Sequence, residues 1–141
     1  MPKILLLEDD RDMTMLLQTL LEIEGYEVGS YDPQRPIVAQ AEEEIPDLVL
    51  LDVHLGGQDG IQILRALRKT PALAEVRVVM TSGINLTEEC LRGGANAFIV
   101  KPYMPEQLLE ILRKVLVTPA DQKYKEENPK PSSSIPNKRF Q

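Results

Sequence analysis

The sequence predicts an α/β fold, a five-stranded parallel sheet doubly wound with helices on both faces. Three observations predict it. Short unbroken apolar runs such as Ile4-Leu5-Leu6-Leu7 are too short for helices and read as strands buried on both faces. They alternate with longer stretches of helical period. The apolar residues are mostly aliphatic, with no Trp and few aromatics, which suits a buried sheet covered by amphipathic helices. At 141 residues the chain has room for one core and no second of ordinary size.

The elements follow in order. Ile4–Leu7 is the first strand. Asp12 to Glu24 carries Met13, Leu16, Leu17, Leu20 and Leu21 at helical spacing, and Gly25 closes that helix as a left-handed cap. Tyr26–Ser30 is a weaker strand, followed by a turn around Asp32-Pro33. Ile37–Glu43 reads as helix and Pro46 stops it. Leu48–Leu51 is a second buried run. Ile61, Ile63, Leu64 and Leu67 mark a helix that begins near Asp59-Gly60 and ends by Pro71. Val76–Thr81 is a strand, Thr87–Arg92 a short helix ending at Gly93-Gly94, and Phe98–Val100 the last strand. Pro105 suits the first turn of a closing helix that runs to about Leu116. The domain is expected to end at residue 118. From 119 to 141 the Pro, Ser and Lys content, with little to bury, predicts a flexible extension.

Five strand–helix units in sequence imply right-handed crossovers, which collect every strand's carboxyl end at one rim. The residues delivered there are polar: Glu8-Asp9-Asp10, Asp52, Thr81-Ser82 and Lys101. Carboxylates brought that close repel, and unaided one of them would take up a proton. A hard divalent cation relieves this, and Mg²⁺, held by one or two carboxylates plus waters and phosphate oxygens, suits the cluster. Lys101 supplies a balancing ammonium on a long stem. Asp10 and Asp12 read more simply as helix-start residues.

Several classes are excluded by the same inventory. The formal charge is −6; from residue 119 onward five basic side chains face three acidic ones, so the preceding body carries −8. That body lacks the basic footprint of a nucleic-acid binder. A lone Cys90 forms neither an internal disulfide nor a cysteine metal site. No apolar stretch is long enough to span a bilayer, and no leader precedes the first strand, so a soluble, cytoplasmic protein is expected. No glycine fingerprint follows the first strand, and Glu8-Asp9-Asp10 would repel a pyrophosphate there.

The segments ILLLEDD (4–10), DLVLLDVHLGGQDG (47–60), VVMTSG (78–83) and GANAFIVKP (94–102) resemble, in order and spacing, the receiver domain of response regulators in two-component signalling. The resemblance covers residues 3–117 and implies a flavodoxin-like (βα)5 sandwich. It implies that Glu8 and Asp9 bind Mg²⁺ with Asp52, that Asp52 is the phosphoacceptor, and that His54 gives its backbone carbonyl to the metal. Lys101 pairs with the phosphoryl group. The hydroxyl that meets it is Ser82, followed by Gly83, with Thr81 as the alternative if the strand is one residue shorter. Phe98 stands where a switch aromatic is expected, beside its simpler reading as a buried strand residue.

The implied partners are a sensor histidine kinase or histidine phosphotransfer protein as donor, and a protein target on the face of the fourth helix, fifth strand and closing helix (α4-β5-α5, around Leu86 to Ile99). The domain would act as its own phosphorylation catalyst rather than as an enzyme with a separate substrate. Gly56 replaces a common proline and is expected to loosen the loop after Asp52. His54 replaces an apolar residue, with its imidazole lining the site. Ile84, apolar and two past Ser82, is expected to shield the phosphoryl group from water.

Two other readings compete. One is the receiver part of a larger regulator whose output domain is absent from this sequence. The other is a phosphatase of the haloacid dehalogenase type, which needs a second Asp two residues after the first; His54 stands there.

Overall fold

Successive side chains of each apolar strand point to opposite faces of the sheet, which sorts the chain into two cores. The computed structural model describes residues 1–125 and places five parallel strands in one sheet. They are β1 (Lys3–Leu7), β2 (Glu27–Ser30), β3 (Leu48–Asp52), β4 (Arg77–Ser82) and β5 (Ala97–Val100), ordered β2-β1-β3-β4-β5. The helices are α1 (Arg11–Ile23), α2 (Ile37–Glu44), α3 (Gly60–Lys69), α4 (Thr87–Arg92) and α5 (Pro105–Val117). Leu5, Leu7, Val49, Leu51, Val78 and Met80 face Ile37 and Ala41 of α2, Ile63, Leu64 and Leu67 of α3, and Cys90 of α4. Ile4, Leu6, Leu48, Leu50, Val79, Ala97 and Ile99 face Leu17 and Leu21 of α1 and Leu108, Ile111, Leu112 and Val115 of α5. Truncating one such leucine to alanine costs roughly 2–5 kcal/mol. The strand order is the flavodoxin-like one, with its switch point between β1 and β3.

Helix ends follow local chemistry. Asp10 caps α1, its carboxylate accepting from the Met13 N–H at 3.1 Å. Gly25, at φ +97°, closes that helix as predicted. α2 ends at Glu44, with Ile45 as its cap before Pro46. The residue before Pro46 is disfavoured in the right-handed helical region, and Ile45 leaves it for φ 50°, ψ 58°.

The loop after Asp52 is more regular than expected. His54–Leu55 pairs antiparallel with Gln58–Asp59, and Gly56 leads the two-residue turn at φ +61°. A hairpin turn of this length favours glycine at such a position, so Gly56 shapes the segment rather than loosening it.

Residues 126–141 of the predicted extension lie outside the described residues. Residues 119–125 differ from the expectation of a flexible tail: the Tyr124 N–H donates to the Asn96 carbonyl at 2.6 Å, and the Tyr124 ring packs on the α1–α5 core. Composition counts side chains to bury, whereas this segment is held largely through its backbone.

Cys90 is fully buried, and burial, with Glu89 and Asp59 adding to it, pushes its thiol up to about 11. Thiolate is the reactive form. At pH 8 native protein is expected to resist iodoacetamide for hours and to be alkylated once in denaturant; rapid native alkylation, read by intact mass, would contradict this packing.

Candidate functional site

Side-chain alternation explains how distant residues converge. Glu8 continues the 4-6-8 series of β1, Asp52 the 48-50-52 series of β3, and Lys101 the 97-99-101 series of β5. All three series belong to the α1–α5 face of the sheet. Parallel register then places their ends at one rim: Leu7 lies opposite Leu51, Asp52 opposite Thr81, and Ser82 opposite Val100.

The Lys101 ammonium lies 2.8 Å from Asp52 Oδ2 and 3.4 Å from Glu8 Oε1. Glu8 and Asp52 are buried, Asp52 retaining 7% of its surface. Burial by itself lowers the pKa of Lys101, but the hydrogen bond and charge of Asp52, with those of Glu8, outweigh it and raise the pKa above the ordinary lysine value. Asp52 Oδ1 accepts from the His54 N–H at 3.1 Å. Exposed Asp9 accepts from the Gly56 N–H at 2.8 Å through Oδ2, and Glu8 Oε2 accepts from the Asp10 N–H at 3.0 Å. The hairpin turn thus aims Asp9 at the same rim.

Glu8, Asp9 and Asp52 each offer a carboxylate oxygen, all within 4.8 Å of one another. Two carboxylates at that range repel by about 3 kcal/mol at an effective dielectric of ~20. One lysine balances one charge and leaves an excess of anionic oxygen. Hard oxygens on one open, water-accessible side are the donor set of Mg²⁺, so the residues present fit that ion.

The two hydroxyl candidates face opposite ways. Thr81 follows Val79 on the α1–α5 side, and its buried hydroxyl finds no hydrogen-bond partner among the described residues. Ser82 follows Met80 on the α2–α4 side, the side on which half-buried Phe98 packs, and accepts from the Ile84 N–H at 3.4 Å. Ile84 is 61% exposed beside it. The His54 side chain is exposed on the hairpin, opposite Asp59 in register.

Two residues near the site escaped the sequence reading. Tyr103, two past Lys101, has its hydroxyl pushed to about 12, chiefly by burial. Gly60, read only as a helix start, lies against the backbone that carries Asp52. A glycine opening a helix that an aspartate already caps was the available signal for Gly60; none marked Tyr103.

Comparison with known proteins gives a consistent answer. A family model described as the response regulator receiver domain matches residues 4–113. The phosphate regulon transcriptional regulatory protein PhoB of Rhizobium meliloti is 32% identical over 119 residues, covering 82% of this chain and 52% of that protein. The chemotaxis protein CheY of Thermotoga maritima is 31% identical over 115 residues, covering 80% of this chain and 96% of that protein. Among solved structures, the Vibrio cholerae chemotaxis protein CheY4 aligns with TM-score 0.74 at 26% identity, over 82% of this chain and 98% of that one. The receiver domain of the Pseudomonas aeruginosa sensor histidine kinase PA1611, with a magnesium ion coordinated in its active-site cleft, aligns with TM-score 0.73 at 26% identity, over 83% and 98%. The chain spans about half the length of its PhoB relative and a quarter of a DctD relative.

Proposed function

The chain belongs to the response regulator receiver domain family of two-component systems, and from that premise we propose that it is a phosphorylation switch with Asp52 as phosphoacceptor. Receiver domains interact with histidine kinases and downstream effectors. Here the donor is a phosphohistidine on a sensor histidine kinase or a histidine phosphotransfer protein. The observation that carries the reading is the direct pairing of Lys101 with Asp52 inside a cluster of three carboxylates.

An Asp52 carboxylate oxygen is already anionic, so it attacks phosphorus without a general base. The new P–O bond forms as the P–N bond breaks, and that electron pair returns to the donor's imidazole nitrogen. Glu8, Asp9, Asp52 and the His54 backbone carbonyl would hold Mg²⁺, which when bound would supply positive charge against the phosphoryl oxygens. Lys101 passes from Asp52 to a phosphoryl oxygen, so its charge is in place before the reaction begins. Thr81, the alternative to Ser82, donates its hydroxyl to another: it stands opposite Asp52 on the same sheet face and its hydroxyl has no partner among the described residues, whereas Ser82 faces the other layer. Phe98 turns toward the space this frees. Coupling requires the phosphorylated site to favour one arrangement by a few kcal/mol.

Output is by protein contact on the α4-β5-α5 face, with neither nucleic acid nor membrane engaged directly. The domain catalyses its own phosphorylation and hydrolysis and no reaction on a separate substrate. Among the described residues no helix is long and apolar enough to cross a membrane; action in the cytoplasm belongs to this proposal. A second reading, a receiver working within a longer regulator, is favoured by the partial coverage of PhoB and DctD.

Incubation with phosphoramidate tests the metal requirement. The intact protein is expected to gain one phosphoryl mass with Mg²⁺ and at least tenfold less in EDTA. Equal labelling in both would remove the metal from the reaction, and no labelling in either would remove the function.

A further inference from the structure

We propose that the groove between α4, β5 and α5 is a docking site walled off on one side by the chain's own Tyr124 and Lys125, anchored there through residues 119–123, and that partners reach this face only by displacing them. This segment is held along its length. Arg77, on β4, donates through Nη2 to the Thr118 carbonyl at 2.8 Å and through Nε to that of Val115 at 2.9 Å, turning the chain back as α5 ends. Asn96, just before β5 and 4% exposed, then acts as the receptor. Its side-chain nitrogen donates to the carbonyls of Ala120 at 2.8 Å and Gln122 at 3.0 Å, and its backbone carbonyl accepts from Tyr124. Its Oδ1 is taken inward by Val78 N–H at 2.8 Å and Arg68 at 3.1 Å, which fixes the amide with its donors pointing at the segment. Both protons of this fixed amide go to the strap, so the strap's departure exchanges two preorganised protein hydrogen bonds for bonds to water.

Two further contacts span the groove. The Lys114 ammonium of α5 lies 5.6 Å from the Tyr124 ring centroid. Lys125 crosses to pair with Glu88 of α4. Residues 119–125 therefore tie α4 to β5 and α5, and Phe98 with Tyr124 lines the groove between them.

The remainder of the inference rests on the phosphoacceptor reading. The strap is docked on the arrangement in which Lys101 pairs directly with Asp52, that is, the unphosphorylated one. A turn of Phe98 or a shift of α4 alters the groove wall and the Glu88–Lys125 pair together. The strap therefore holds the domain in its unphosphorylated arrangement, and by reciprocity occupation of the phosphoryl site loosens the strap.

The test uses the full 141-residue chain, with beryllofluoride and Mg²⁺ as the phosphoryl mimic, titrated into wild type, Tyr124→Ala and Lys125→Glu. Amide exchange at Tyr124 is followed alongside. The Tyr124 amide is expected to be protected in wild type and to lose protection as beryllofluoride binds. Tyr124→Ala is expected to bind the mimic about fivefold tighter or more, with Lys125→Glu between the two. A Tyr124 amide exchanging as in an unstructured peptide overturns the docking. Binding that is present but equal in wild type and both variants overturns the coupling. Absence of binding in all three proteins overturns the phosphoacceptor reading itself and the coupling with it.

Discussion

Asp52→Asn protein is expected to take up no detectable phosphoryl group from phosphoramidate or acetyl phosphate with Mg²⁺, a loss of at least a thousandfold. The substitution is nearly isosteric, and its effect is chemical. A neutral amide lacks the anionic oxygen that makes Asp52 a nucleophile without a base. It also removes one of the three carboxylates that would hold the metal and leaves Lys101 a single anionic partner, Glu8 at 3.4 Å. A thousandfold fall corresponds to about 4 kcal/mol of barrier. Stability moves the other way or not at all, because one of two buried like charges has gone while Lys101 keeps a partner. Intact mass and thermal melting separate the two effects. Labelling of Asp52→Asn at the wild-type rate would place the phosphoacceptor elsewhere.

A structural loss as large as that of a core leucine is expected at Gly60. A Cβ there would stand 2.5 Å from the Asp52 carbonyl oxygen, 2.7 Å from Val53 Cα and 2.9 Å from the Val53 carbonyl oxygen. All three are backbone atoms, and the Gly60 N–H already donates to that Val53 carbonyl at 2.6 Å. No side chain can swing aside, so the start of α3 or the end of β3 must move. Overpacking against backbone costs roughly 2–4 kcal/mol, and for a domain of this size Gly60→Ala should melt about 10 °C lower. The displaced stretch carries Asp52, so phosphorylation should slow as well, by up to ~10²-fold for a shift near 1 Å. Gly57→Ala is the control: nothing lies within 4 Å of its Cβ position, and its melting should match wild type. A Gly60→Ala protein as stable as Gly57→Ala would show that this contact is not as close as described.

Much of the fold was legible because it follows from periodicity. The apolar run Ile4–Leu7, the helical spacing through Leu21, the Asp59-Gly60 start and Pro105 each announce an element by local chemistry, and the ends differ from the structure by a residue or so. The rim was legible for a topological reason: parallel strands with right-handed crossovers bring Glu8, Asp9, Asp52 and Lys101 to one edge. The small hairpin after Asp52 was not legible, since two-residue strands carry no period. The left-handed turn at Ile45 was missed because β-branched residues rarely adopt it.

By itself the sequence determined the strand order along the chain, the two apolar faces of the sheet and the charged inventory of the rim, because alternation and spacing are properties of neighbours in the chain. Only the tertiary structure decided that Lys101 meets Asp52 at 2.8 Å, that Thr81 rather than Ser82 stands on the layer of Asp52, and that Asn96 grips residues 119–125. The contacts of Lys101 and Asn96 join residues roughly 25 to 50 positions apart, which only the packing of the chain brings together.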